Sequence, residues 1–305
     1  MIPIFPEFKK IKIEDKMDIE LYTNRYLPYS DFNFTSLWAW NINDERMFSF
    51  LNENLVVLFT DYETNEKFLS YLGTNMPEDT VREIINYANK IGITPILKLI
   101  PEVSIKSITN PQFLIEEDDN NFDYIFSIPE LLKLQGSKFK NKRHLMQKFI
   151  QDYPDSIFMS QNINDINIQE QMILLFHRWN LNKLSNDSTH DSEHEINTIK
   201  RILKTSNSHE LVVSSVVLNN NVIAFSIDEI LPNRYVISHF IKADNKYNGI
   251  YDYLNQKVSE FLFSKNALLW NWEQDLGIIN LKKSKMSYRP VNFLKKFKIS
   301  LILNK

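Results

Sequence analysis

The sequence predicts a mixed α/β protein in which one unit of helices and strands occurs twice in tandem. Two apolar hairpins with asparagine-rich turns, each preceded by helical periodicity, carry that reading. The third observation is that each hairpin is followed by the same order of strand, helix and strand. In the first half, 16–26 and 34–40 have helical spacing. A hairpin pairs 47–51 with 55–60 around Asn52-Glu53-Asn54, and a strand at 67–71, a helix at 77–90 and a strand at 93–99 follow. In the second half, 168–180 and 193–204 read as helices, and 211–218 pairs with 222–230 around Asn219-Asn220-Asn221. A strand at 234–242, a helix at 249–264 with the stripe Ile250, Leu254, Val258, Phe261 and Leu262, and a strand at 267–273 complete the set. The turns begin at Asn52 and Asn219 and the last strands at Ile93 and Ala267, an offset of about 170 residues that barely changes. The expected division is 1–155 and 156–305, with 129–152 forming a basic helical stretch just before the boundary.

Composition removes several function classes. There is no cysteine in the 305 residues, so disulfides, thiolate nucleophiles and cysteine-ligated zinc are excluded. Five scattered glycines leave no P-loop and no dinucleotide fingerprint. The net charge is −3, and no run approaches the length of a membrane-crossing helix. The first sixteen residues carry Pro3, Pro6 and Glu7 where a signal peptide needs an unbroken apolar stretch, so a soluble, cytoplasmic protein is expected.

Four constellations could carry chemistry. Lys246-Tyr247-Asn248-Gly249-Ile250-Tyr251 joins a strand to a helix start, where backbone N–H groups can hold an anion, with Lys242 and Lys246 adding charge. An ordinary strand-to-helix turn is the competing reading. Glu229 closes the alternating face of Ile223, Phe225 and Ile227, and desolvation there would suit it to general-base work. Whether Glu229 or Asp228 shares a face with His239 depends on the strand register. Glu273 and Asp275 end the last strand, a usual ligand position in α/β sheets and an equally usual place for solvated acids. From 281 to 305 there are eight positive charges and no acids, with Tyr288, Phe293 and Phe297 interleaved. That stretch suits RNA, lipid phosphate or a nucleotide, or is a solvated basic edge. Upstream, Glu116, Glu117, Asp118, Asp119 and Asp123 form an acidic run.

Two stretches near the C-terminus, Trp272-Glu273-Gln274-Asp275-Leu276-Gly277 and Leu281-Lys282-Lys283-Ser284-Lys285-Met286-Ser287-Tyr288-Arg289-Pro290, resemble the family containing the C-terminal domain of phosphatidylglycerol lysyltransferase. His239-Phe240-Ile241-Lys242-Ala243-Asp244, Ser30-Asp31-Phe32-Asn33-Phe34 and Phe122-Asp123-Tyr124 fit the same family. The resemblance implies two tandem acyl-CoA N-acyltransferase-like (GNAT-like) domains, with the donor site in the second. It implies acyl-CoA or aminoacyl-tRNA as co-substrate, no permanently bound cofactor, and a small-molecule, peptide or lipid acceptor. The superfamily's donor loop, Q/R-x-x-G-x-G/A, aligns with Lys246, Gly249 and Tyr251. Lysine replaces Gln or Arg and tyrosine a small residue, which weighs against ordinary acyl-CoA; relatives with this double fold use aminoacyl-tRNA, a donor that the basic helix and tail would suit.

The expected roles are therefore Glu229, Glu273 and His239 in catalysis and Lys242, Lys246, Asn248, Gly249, Ile250 and Tyr251 at the donor. Asp275, Lys285, Tyr288 and Arg289 are expected at the substrate. The rival reading is a non-catalytic protein that keeps the fold and binds RNA or a partner through its basic surfaces.

His190-Asp191-Ser192-Glu193-His194 matches the zinc pattern H-x-x-E-H, but its flanks are polar and no third ligand is evident nearby. No metal is expected there. After exhaustive dialysis, metal analysis should find no stoichiometric zinc; zinc that disappears in His194→Ala would reverse this.

Overall fold

The computed structural model describes residues 2–61, 64–184 (backbone alone at 182–184) and 193–302. The chain divides into two compact units. One comprises the residues up to Asp123, Gln274–Ile279 and Phe293 onward; the other comprises Tyr124–Glu273 and Asn280–Asn292. Compactness draws this division, whereas the division at 155 follows the order of elements.

The expected order recurs. Helices Lys16–Thr23 and Phe34–Ala39 precede strands Met47–Leu51, Asn54–Thr60 and Lys67–Leu72, helix Pro77–Ile91 and strand Leu97–Pro101. Helices Ile166–Leu184 and Glu193–Lys204 precede strands Leu211–Leu218, Asn221–Ile230 and Tyr235–Ala243, helix Ile250–Ser264 and strand Leu269–Asn271. Each hairpin turns on two left-handed residues, Asn52 and Glu53 in one and Asn219 and Asn220 in the other. That conformation matches the twist of paired strands and is least costly for asparagine. Both final strands differ from expectation: the first is displaced to 97–101, and the second is trimmed at both ends to 269–271.

In the first unit, Lys9–Lys10, Met47–Leu51, Asn54–Thr60 and Lys67–Leu72 form an antiparallel sheet in that order. Helix Pro77–Ile91 starts on proline, carries Glu78 and Asp79 in its first turn and stops at Gly92 in the left-handed conformation. Val81, Ile84, Ile85 and Ala88 make one buried stripe that packs with Val56, Leu69 and Tyr71 of the sheet. A second antiparallel sheet places Lys296–Leu301 between Leu97–Pro101 and Phe113–Glu117. The middle strand thus comes from the far end of the sequence, and the sequence reading saw it only as a basic run.

Its charges are spent locally. Lys295 pairs with Glu117 at 2.6 Å and Lys298 with Asp118 at 3.2 Å. Lys296 is fully buried between Asp31 and Asp123, 2.7 Å from the latter. Ser30 donates its N–H and hydroxyl to the Asp123 carboxylate at 2.8 and 2.6 Å. The acidic run and the basic tail therefore meet each other in one sheet, which removes three of the eight positive charges from any basic surface.

In the second unit, Ile157–Gln161, Leu211–Leu218, Asn221–Ile230, Tyr235–Ala243, Leu269–Asn271 and residues 124–127 form one mixed sheet in that order. Only Tyr235–Ala243 and Leu269–Asn271 run parallel, over three residue pairs. Helix Ile250–Ser264 packs against helices Ile128–Lys133 and Lys140–Asp152. Gly249, its N-cap, has φ +83, and a Cβ there would lie 2.1 Å from the Leu145 carbonyl oxygen. Close helix packing accounts for this glycine. Gly249→Val would consequently disturb folding whether or not an anion binds there.

Replacing Lys296 with Met would leave two buried carboxylates without their cation. The expected loss is about 3–5 kcal/mol of stability in urea unfolding. Adding Asp31→Asn and Asp123→Asn to that variant should recover much of the loss, because the uncompensated charges are then gone.

Candidate active site

A strand irregularity decides which acid meets His239. Ile227 pairs with Phe240, but the next residue, Asp228, pairs with Ser238, so His239 is an extra residue bulged out of the ladder. The Nε2 atom of His239 lies 3.0 Å from Glu229 Oε2, and Nδ1 lies 3.5 Å from Glu273 Oε1. Asp228 turns elsewhere and accepts a hydrogen bond from Trp270 Nε1 at 3.1 Å. Alternation along a strand does not reveal a bulge, so sequence reasoning left this choice open.

The three side chains form a row that runs from the interior outward. The side chains of Glu229 and His239 are 2% and 1% exposed, and that of Glu273 is 18% exposed. Burial works against the imidazolium, but the hydrogen bond to Glu229 and the charges of Glu229 and Glu273 outweigh it and raise the His239 pKa to about 9. His239 is therefore a cation at neutral pH and links two carboxylates. Glu273 is the member in reach of solvent. Burial also pushes Asp228 up to about 6, although Trp270 donates a hydrogen bond to it.

The expected donor residues fall into two groups. Lys246 is exposed, 3.3 Å from Asp244 Oδ2 and 4.7 Å from the Tyr247 ring centroid, and Asn248 is also exposed. Lys242, Ile250 and Tyr251 are structural parts. The Lys242 ammonium is 2.6 Å from Glu195 and 3.6 Å from the centre of the Trp179 ring. Ile250 is buried, and the Tyr251 hydroxyl accepts from the Ala243 N–H at 3.2 Å. Burial raises the Tyr251 pKa to about 12.

Among the expected substrate residues, Arg289 is exposed and Tyr288 is buried. The Tyr288 hydroxyl donates to Asp252 at 2.7 Å, and burial lifts its pKa well above the ordinary value. Lys142 sits 3.2 Å from the same carboxylate and 3.6 Å from the Tyr288 ring centroid. Burial lowers the Lys142 pKa. Neither Lys142 nor Asp252 stood out in the sequence, where each is one charge among many. Lys285 donates to the Trp272 carbonyl at 2.6 Å and the Glu273 carbonyl at 3.2 Å. Asp275 belongs to the first unit and accepts from the Gly277 N–H at 2.8 Å.

His190 lies outside the described residues, and among those described no group of three or more His, Asp or Glu could hold a metal. Among the described residues, no helix is long and apolar enough to cross a membrane.

A family model described as the C-terminal domain of phosphatidylglycerol lysyltransferase matches residues 23–300. A conserved protein of unknown function from Bacteroides thetaiotaomicron has a similar structure, with TM-score 0.83 and 24% identity over 99% of this chain and all of that one. The C-terminal domain of a putative lysylphosphatidylglycerol synthetase from Agrobacterium fabrum gives a TM-score of 0.66 at 12% identity, covering 94% of this chain and 90% of that one. The L-PGS structure from Bacillus licheniformis gives 0.62 at 11% identity, covering 100% and 95%. An uncharacterized protein of Mycoplasmoides gallisepticum is 26% identical over 192 residues, or 62% of this chain. The chain spans 58% of the length of that curated relative.

The raised His239 pKa predicts a pH signature. Its stabilising contribution is complete below the unfolded value of 6.5 and is lost as pH rises through about 9. Urea unfolding should show wild type losing on the order of 3 kcal/mol across that window, and His239→Gln should lack that loss. Asp228, also raised, acts in a separate window between 3.8 and about 6, where rising pH again removes stability. Equal wild-type and His239→Gln slopes above pH 6.5 would contradict the assigned cation.

Proposed function

This chain belongs to the phosphatidylglycerol lysyltransferase C-terminal family, and we propose that it is a transferase moving an acyl or aminoacyl group from an activated donor to an amine or hydroxyl acceptor. The observation that carries the reading is the row Glu229–His239–Glu273, buried at one end and open at the other. An acceptor N–H or O–H beside Glu273 gives up its proton to that carboxylate as its nitrogen or oxygen attacks the donor carbonyl. The tetrahedral intermediate then collapses, and the proton passes from Glu273 to the leaving oxygen or sulfur of the donor. His239, held as a cation by Glu229, fixes the orientation of Glu273. No covalent enzyme intermediate is required, in keeping with a chain that contains no cysteine.

An aminoacyl-tRNA ester is the favoured donor and acyl-CoA the alternative. Family membership supports the ester, as does lysine rather than Gln or Arg at position 246. So does the bulky Tyr251, packed against the Ala243 backbone where the superfamily's loop has a small residue. Such a donor places the reaction in the cytoplasm. The acceptor class is an amine or hydroxyl of a small molecule, peptide or lipid headgroup.

Transfer of a labelled aminoacyl group from aminoacyl-tRNA to a panel of such acceptors tests the reading. Glu273→Gln should lower the transfer rate by about 100-fold or more. Lys246→Glu should weaken donor binding at least about tenfold, or ~1.4 kcal/mol, without changing thermal unfolding, because Lys246 is exposed. A wild-type protein that binds tRNA yet transfers nothing from either donor would favour the non-catalytic reading instead.

A further inference from the structure

The backbone changes course at the point where Glu273 approaches His239. The strand Leu269–Asn271 ends two residues earlier, and Glu273 has φ +57, a left-handed conformation uncommon outside glycine. Along a regular strand, successive carbonyls point in opposite directions. At Trp272 and Glu273 they converge instead, and both accept hydrogen bonds from the Lys285 ammonium, at 2.6 and 3.2 Å. Three other contacts secure the same bend: the Glu273 N–H donates to Asn271 Oδ1 at 2.7 Å, the Tyr124 N–H donates to the Glu273 carbonyl at 3.2 Å, and the Trp272 N–H donates to the Tyr124 carbonyl at 3.0 Å. Of these partners only Lys285 contacts both carbonyls, with charge-assisted bonds. It also lies 5.6 Å from the Tyr124 ring centroid.

We propose that Lys285 is a positioning residue that clamps the Trp272 and Glu273 carbonyls and thereby holds the Glu273 carboxylate against His239. The proposal rests on reading the Glu229–His239–Glu273 row as the active site, and it gives Lys285 a role other than substrate contact. The charges acting on His239 are Glu229 from the neighbouring strand, Glu273 from the bend, and Asp228, which is electrostatically coupled to it. Loss of the clamp lets Glu273 swing away and removes one of the groups that keep His239 protonated.

The sign of the response separates a clamp from a simple nearby charge. Deleting a cation by itself favours the imidazolium and raises the His239 titration midpoint, whereas releasing Glu273 lowers it. NMR of histidine-labelled protein, with the His239 signal assigned from His239→Gln, reads this directly. Lys285→Met should lower the midpoint by about one unit or more, a tenfold or greater loss of proton affinity. Lys285→Arg, which can still donate to two carbonyls, should keep the wild-type midpoint. Glu273→Gln should lower the midpoint as well, and adding Lys285→Met to it should lower it no further. If Lys285→Met does not fold, Lys285→Gln, too short to span both carbonyls, is read by the same criteria. An unchanged or raised midpoint in the folded variant overturns the clamp. Because this readout needs no turnover, absence of aminoacyl transfer would overturn the transferase reading and leave the clamp standing.

Discussion

The first unit depends on one buried ammonium and the two carboxylates that neutralise it. Lys296 stands on the middle strand of a three-stranded sheet whose outer strands, Leu97–Pro101 and Phe113–Glu117, each pair with that strand. Asp31 and Asp123 come from stretches far apart in sequence, and Ser30 and Gln274 complete the polar shell around the ammonium, at 3.3 and 3.5 Å. A charge so fully desolvated tolerates no substitute geometry, because leaving it unpaired would cost several kcal/mol. The same requirement fixes register. Sliding the strand by one residue would turn Lys296 to the other face and offer the two aspartates Lys295 or a phenylalanine. The net stability of such a cluster over an apolar one is small, and its value is that it admits one arrangement.

The second unit solves a similar problem with a different residue. His239, too, is a buried cation between two carboxylates, but its partners differ in exposure, and its proton can leave within an accessible pH range. Lysine in the first unit has its proton affinity raised further and stays charged at any ordinary pH. One cluster is sealed and holds strands together, whereas the other ends at a carboxylate in reach of solvent. The contrast follows from residue type and from where each row stops.

Much of this was legible in the sequence. Asparagine pairs between alternating apolar runs gave both hairpins, and helical stripes gave the long helices, because these signals are local. The strand Lys296–Leu301 also alternates, with Phe297, Ile299 and Leu301 on one side. The lysines masked it, and nothing local says that Glu117 and Asp118 are their partners. Glu229, His239 and Glu273 were each identified, but the bulge that joins them depends on an unpaired residue whose place no periodicity reveals. Gly249 stands in the loop expected to hold an anion, whereas the Leu145 carbonyl fills the space a side chain would need there. Sequence patterns report the face on which a residue lies far better than what will press against it.

The interleaving of the two units orders events on the ribosome. Part of the first unit precedes the second in the sequence, yet its second sheet lacks a central strand until Lys296–Leu301 has been synthesised. At about 5–20 residues per second, that strand emerges on the order of ten seconds or more after Asp123. During that interval Asp31 and Asp123 have no ammonium between them, and the facing edges of Leu97–Pro101 and Phe113–Glu117 stand open to other chains. A chaperone's protection would matter most during that wait.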